Sequence, residues 1–523
     1  MKARNKTIIR KLLILFFIVG LFVMSIVSVK ASANDYALYL TDKAISRSAD
    51  HELILASDVT ASSTATTSTS ASDTEEAEIT QKPVLDQKEI LLKPGKKQRL
   101  HVENADGLKI TWTSQNPEIA TVSKKGKVTA VATGKTYIIA SYQAPRDPSN
   151  PNSRLKTYKL KCKVKVKNPV TIKIAGIGDL LMHDRVIAFG KQSDGTYNYD
   201  GIFKQTTDYF KNFDVVIANQ ETPFTDNPAK YQGYPTFGTP TALGDAMIKA
   251  GINVVMSASN HSWDQGTNGI KVTTNYWKEH KDQVVHLGMA YTEEEFKTIV
   301  YKKYKGIKIA FINFTNFLND YSGMKKYYVN VLNAYKYNDY GNSFGSISED
   351  RLMKDIAKAS EKADFVIVLP HWGTEYTHTP TSAQKNLAQK MAEAGADAII
   401  GTHAHVVMPM KILETSDGRR VPCYYSTGNF VSNMGQAARN LEGIAELTLI
   451  KWNGTTTITN AEFTPIINHI DKTDTKFCVY LLSEYPEDVA KDHISNSSRY
   501  GGAGTLTPKT MQKLFDSIGN DKW

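Results

Sequence analysis

Short apolar runs that end in polar, chemistry-bearing residues recur through the second half of this chain. Val366-Ile-Val-Leu-Pro-His-Trp-Gly-Thr-Glu375 sets four apolar residues in a row before His371, the pattern of a buried strand that delivers an imidazole at its C-terminal tip. Asp397-Ala-Ile-Ile-Gly-Thr-His-Ala-His405 repeats the device with His403 and His405. Upstream, Ile172-Lys-Ile-Ala-Gly-Ile-Gly-Asp179, Val215-Val-Ile-Ala-Asn-Gln-Glu221 and Asn253-Val-Val-Met-Ser-Ala-Ser-Asn-His261 have the same layout. Amphipathic segments of helical length separate these runs, at Thr241 to Ala250, Gly266 to His280, Ser348 to Lys362 and Thr381 to Ala394. Strands alternating with helices predict an α/β domain with a largely parallel sheet from Val170 onward. In such sheets ligands bind beyond the carboxyl ends of the strands, so the five tips are expected to converge on one site.

The pattern before Val170 is different. Between 83 and 168, short alternating strands follow one another with turn residues between them: Glu89 to Leu92, Lys109 to Thr113, Ile119 to Ser123, Lys127 to Val131, Tyr137 to Tyr142 and Lys159 to Val166. Six strands in so short a stretch predict a small β-sandwich. Lys161, Lys163, Lys165 and Lys167 alternate along the last of them, either as solvated protection of a sheet edge or as a stripe that binds a polyanion. From 34 to 82 the chain reads as a linker. Its Ser, Thr and Ala content from Ala56 to Thr80 offers too little apolar surface to fold. Residues 1–33 read as a secretory signal or membrane anchor: five basic residues up to Lys11, an uncharged apolar run from Leu12 to Val29, then Ala31-Ser-Ala33. Either outcome places the remainder outside the cytoplasmic membrane. Beyond 470 only a helix at Pro508 to Ile518 is expected, within a C-terminal tail over 471–523.

Composition adds two constraints. A net charge of +10 and a pI near 9.0 suit either an anionic neighbour or a solvated lysine surface. The three cysteines, Cys162, Cys423 and Cys478, form no CxxC pair, which argues against a thiolate zinc site and leaves a Cys423 to Cys478 bridge open. The chemistry therefore falls to Asp179, Glu221, Asn260, His261, His371, His403 and His405. Carboxylate, amide and imidazole together suit zinc, manganese or iron better than magnesium alone. A carboxylate flanked by histidines on both sides is also the pattern that clamps a phosphoester between two ions.

Two resemblances carry these readings further. Trp112-Thr-Ser-Gln-Asn-Pro-Glu-Ile-Ala-Thr-Val-Ser-Lys-Lys-Gly-Lys-Val-Thr-Ala-Val-Ala-Thr-Gly134 resembles bacterial Ig-like domains of group 2, which implies a surface module for spacing, adhesion or glycan contact. Gly178-Asp179, Asn219-Gln-Glu221, Ser259-Asn-His-Ser-Trp-Asp-Gln-Gly266, His371-Trp-Gly-Thr-Glu375, Gly401-Thr-His-Ala-His405 and Tyr425-Ser-Thr-Gly-Asn-Phe430 resemble, in order, the motifs of the poly-γ-glutamate capsule-synthesis (CapA-like) family. That family is similar to calcineurin-like metallophosphoesterases. The likeness implies a four-layer α/β/β/α sandwich over 170–470 with a binuclear site. Asp179 and His405 would serve one ion, Glu221 would bridge, and Asn260, His371 and His403 would serve the other. His261 would be the general acid. Leu181 stands where the phosphoesterases have a histidine, so His183 is the substitute ligand to look for, and the site holds one or two divalent ions. Asp264 and Glu375 are candidates to orient histidines, and Asn429 and Arg185 to meet an anionic substrate. The implied partners are an anionic envelope polymer such as poly-γ-glutamate, the membrane and capsule synthase or export proteins, with no nucleic acid. Three functions stay open: a metal-dependent hydrolase, a polymer-binding or scaffolding component without turnover, and an adhesion protein acting through its Ig-like module.

Overall fold

The computed structural model describes residues 81–147, 149–332 and 346–523. The expected signal or anchor and nearly all of the linker lie outside them. Among the described residues, no helix is long and apolar enough to cross a membrane.

The first part is a sandwich of short strands: β1 (Val84–Leu85), β2 (Glu89–Leu92), β3 (Lys97–Arg99), β4 (Val102–Glu103), β5 (Thr111–Ser114), β6 (Ala120–Val122), β7 (Lys127–Ala130), β8 (Gly134–Pro145) and β9 (Leu155–Val166). One sheet runs β2-β9-β8-β5 and a second runs β3-β7-β6. Alternation does the folding. Ile138, Ala140, Cys162, Val164 and Val166 point inward with Ile90, Leu100 and Val128, while the residues between them face water. Strand β2 pairs with β9 only over 163–166, so Lys163 and Lys165 lie inside the sheet, while Lys161 lies on the stretch of β9 that has β8 alone as its paired neighbour.

The second part is built on two mixed sheets. The first contains β10 (Val170–Leu180), β11 (Val215–Gln220), β12 (Val254–Met256) and β13 (Val285–Leu287), all parallel. The second has β14 (Val300–Tyr304) antiparallel to β15 (Ile307–Thr315), and then β16 (Phe365–His371), β17 (Ala398–Ile400), β18 (Val407–Glu414) and β19 (Arg420–Thr427), in the order β14-β15-β16-β17-β19-β18. Beside β10 the first sheet adds β20 (Asn429–Val431) and continues through β21 (Leu441–Trp452), β22 (Thr455–Ile470) and β23 (Phe477–Leu481). The sheets pack face to face through Ile172, Ile217 and Met256 on one side and Ile309, Ile367 and Ile400 on the other. Helices cover both outer faces, among them Ala242–Lys249 on the first and Glu349–Lys362 with Ser382–Glu393 on the second. The result is the expected α/β/β/α order of layers. The four internal helices lie within a residue of their expected ends, and the turn from β18 into β19 contains Asp417 and Gly418.

Two expectations change. Residues 471–523 are no separate tail. Strand β23 pairs antiparallel with β22, Phe477 and Val479 enter the core of the first sheet, and Met511 and Phe515 of the helix Pro508–Ser517 pack into a cluster with Leu441 and Ile467. The sequence hides this because β23 is only five residues long and its helix is far from the strands it covers. Cys423 and Cys478 are both free, one on each sheet. If β23 belongs to the core, Phe477→Ala costs about 3–5 kcal/mol in urea denaturation; a loss near zero would return this segment to a dispensable tail.

Candidate metal centre

Both sheets aim their carboxyl ends at one place. Asp179 ends β10, Glu221 directly follows β11, and Asn260 and His261 follow β12, all from the first sheet. His371 closes β16, and His403 and His405 follow β17, from the second. A close backbone contact joins the halves: the Asp179 N–H donates to the Gly428 carbonyl (2.9 Å), and a Cβ on Gly178 would collide with that same carbonyl. His403 (φ 95°) and His405 (φ 54°) both adopt the left-handed backbone region that side-chain-bearing residues avoid. Such strain persists only where the surroundings fix it, and here it turns two imidazoles of one loop towards the same carboxylates.

The expected ligands do meet. His405 Nδ1 lies 3.4 Å from Asp179 Oδ2. His371 Nε2 is 2.8 Å from Asn260 Oδ1 and 3.1 Å from His403 Nδ1. Glu221 Oε1 stands between the two groups, 3.8 Å from His405 Nε2 and 3.8 Å from His371 Nε2. Both of its carboxylate oxygens are buried without a hydrogen-bond partner. A bare buried carboxylate costs several kcal/mol, roughly, unless a cation answers it. Glu221, His403 and His405 place one ligand atom each within 4.8 Å of one another. That donor set fits a divalent ion.

The electrostatics agree with this reading. Burial pushes the Glu221 carboxyl well up, and the Asp179 charge adds to the rise. Burial and the neighbouring imidazoles hold His371 and His403 well below the usual histidine range. Burial opposes a charged His405 too, but Glu221 and Asp179 outweigh it and push its pKa up to about 9. In the metal-free protein a proton on His405 therefore does part of the work of a cation.

His183 lies at the site as well. Burial, with His405 and His261 close by, holds it down to about 4, and its Nδ1 accepts the Asn433 N–H (3.2 Å). Leu181 is buried and supplies no donor. His261 is fixed by Asp264, whose Oδ2 is 2.7 Å from Nδ1, and its ring stands edge-on to Phe237 at 4.6 Å. Glu375 is half-buried, and its charge reaches both His405 and Glu221. Asn429 is fully buried with Oδ1 2.8 Å from His405 Nδ1, a contact that orients that histidine. Arg185 stands apart, 62% exposed at its side chain and 3.7 Å from Asp474.

The chain matches the family described as bacterial capsule synthesis protein PGA_cap over residues 173–434, half of its length. It belongs to that family. The sandwich matches bacterial Ig-like domain (group 2) over residues 79–145. Among this family's curated relatives, the PGA biosynthesis protein CapA of Bacillus subtilis (strain 168) is 30% identical over 309 residues, 59% of this chain and 74% of that one. The capsule biosynthesis protein CapA of Bacillus anthracis is 30% identical over 267 residues, 50% of this chain and 59% of that one. Among solved structures, the calcineurin-like phosphoesterase YfkN from Bacillus subtilis is 14% identical, with a TM-score of 0.32 over 67% of this chain and 98% of that one.

Several residues that build the site were not among its expected side chains, although Asn219 and Thr402 lie inside the motifs that carry the family resemblance. Asn219 donates from Nδ2 to Asp179 Oδ1 (2.7 Å) and reaches His371 Nδ1 (3.1 Å), and Thr402 Oγ1 is 3.0 Å from the same nitrogen. Asn319 lies 3.2 Å from His261 Nδ1, and its backbone N–H donates to the Asn260 carbonyl (2.9 Å). Arg439 lays its guanidinium 3.6 Å above the Tyr376 ring, and that ring is 5.9 Å from His405's. Among the described residues Arg439 has no acidic partner, so an unanswered cation stands beside the cluster.

These shifts fix the sign of a pH effect in chelated protein. His405 binds its proton more tightly folded than unfolded, so its stabilising share is complete below its ordinary 6.5 and is lost as pH rises through about 9. The raised Glu221 acts in the same direction. The depressed His371 and His403 contribute fully above 6.5 and add no alkaline loss. The melting temperature of chelated protein is therefore expected to fall from pH 6.5 to 9, and a divalent ion in place of the proton should flatten the fall. A flat profile without metal would contradict the unpaired carboxylate.

Proposed function

We propose that this protein serves the synthesis of an anionic envelope polymer of the poly-γ-glutamate type, outside the cytoplasmic membrane, as a metal-dependent hydrolase of a phosphoester or related bond. The observation that carries this reading is the Glu221 carboxylate, buried and unpaired between two sets of histidines. Asp179 and His405 on one side, and Asn260, His371 and His403 on the other, would hold one or two ions of manganese, zinc or iron, with Glu221 between them and His183 in reserve for the first. A divalent ion there supplies Lewis acidity towards a phosphoryl oxygen.

The chain's own residues supply the rest. Asn219 and Thr402 orient His371, and Asn429 orients His405, so the imidazoles face inward before anything binds. With Nδ1 held by Asp264, the doubly protonated ring of His261 would give a proton from Nε2 to a leaving oxygen and keep the one on Nδ1. Arg439, parked on Tyr376, receives a negative group of the substrate beside the cluster.

Elemental analysis and phosphodiesterase turnover, measured on one sample of full chain purified without chelating resin, test the reading together. Bound divalent metal with turnover that is lost on chelation supports it; metal-free protein, or metal without turnover, moves the weight to a polymer-binding or scaffolding role. Glu221→Ala and His371→Ala are expected to abolish both metal and turnover while the fold survives. His261→Ala should keep the metal and lower kcat by about 10²–10⁴-fold. Arg439→Ala should raise KM for a charged substrate and leave kcat near its wild-type value, and an equal fall in kcat would place Arg439 in the chemistry itself.

A further inference from the structure

The chain's net positive charge comes from the sandwich. Residues 83–168 hold 18 Lys and Arg against 6 Asp and Glu, a net +12, whereas the whole chain is +10 and everything outside the sandwich therefore sums to −2. Much of that excess stands on one face. Lys159, Lys161, Lys163 and Lys165 of β9 alternate with the buried Cys162, Val164 and Val166, and Lys135 of β8 is directly across from Lys165. Tyr137, Ile139 and Ser141 fill the rest of β8's outer row, opposite Lys163, Lys161 and Lys159. One carboxylate answers them: Glu89 pairs with Lys163 at 3.7 Å and with Lys165. Lys135, Lys159 and Lys161 are exposed, and among the described residues they have no ion pair.

Like charges opposite one another on a sheet oppose folding, so stability does not call for this arrangement. Edge protection accounts only for Lys159 and Lys161, which lie where β2 no longer pairs with β9, and not for Lys163 and Lys165, which stand between β2 and β8. We propose that this face of the Ig-like sandwich is a docking surface for a linear polycarboxylate, which it holds by charge. Lysines two residues apart on a strand repeat about every 6.8 Å. Ammonium groups on flexible stems engage carboxylates along a chain without demanding a fixed geometry. Single-stranded nucleic acid would instead want a series of stacking rings, and this face presents Tyr137 alone. The proposal goes beyond the metal-site reading and stands without it.

The test uses the full chain and a labelled γ-linked polyglutamate of uniform length, titrated by fluorescence anisotropy at low and at raised salt. Wild-type protein should bind at low salt and release as salt rises. Lys135→Gln, Lys159→Gln and Lys161→Gln together should weaken binding about tenfold or more and reduce the salt slope by about two, while Lys→Arg at the same three positions retains it. Metal content and melting temperature report separately on the α/β domain and should not move. Absence of binding by the wild type at low salt, or undiminished binding by the Gln variant, would overturn the proposal. Loss on His371→Ala in place of the lysine variant would also overturn it, as would stronger binding of single-stranded DNA of matched charge.

Discussion

A carboxylate with no partner, sealed between two sheets, is the constraint on which the α/β domain depends. Glu221 is fully buried, and neither oxygen receives a hydrogen bond. Desolvation on that scale destabilises the fold unless positive charge is brought to it. The surroundings bring it from one side: Glu221 and Asp179 push His405 towards its charged form, while burial favours neutral His371 and His403. The same balance that makes the metal-free cluster costly makes it receptive to a divalent ion, since the cation substitutes for protons that the site already concentrates.

The rest of the domain holds those groups in place. Packing through Ile172, Ile217, Ile309 and Ile367 fixes the two sheets together, so that strand ends far apart in sequence share one crevice. Gly178 lets β10 press against the Gly428 carbonyl, which draws the Ser426 to Phe430 loop under the site and delivers Asn429 to His405. Behind Asn429, the buried Glu442 accepts its backbone N–H at 2.7 Å. Neutral groups thus fix two of the rings, Asn219 and Thr402 that of His371 and Asn429 that of His405, and the left-handed turns at His403 and His405 are held by such contacts, including the His403 N–H to Asp179 Oδ2.

Charge is divided between the parts of the chain in a way that fits their differing tasks. The sandwich is strongly basic and the remainder close to neutral. A basic sheet face acts on anions at long range and is weakened by salt.

The linear pattern by itself determined five strands and four helices of the α/β part and the seven polar residues at the strand tips. It could do so because a buried parallel strand needs an unbroken apolar run, and the residue that ends the run is exposed to the crevice beyond the sheet. Tertiary structure alone decided what those tips do to one another. That Asn219 bridges Asp179 and His371, that Asn429 serves His405, and that Arg439 stands beside the cluster all follow from which strands are neighbours and how loops close over them. The membership of β23 in the first sheet and the place of β9 inside its own are of the same kind. Local sequence fixes which face of a strand is apolar, but pairing across hundreds of residues is a property of the packed whole.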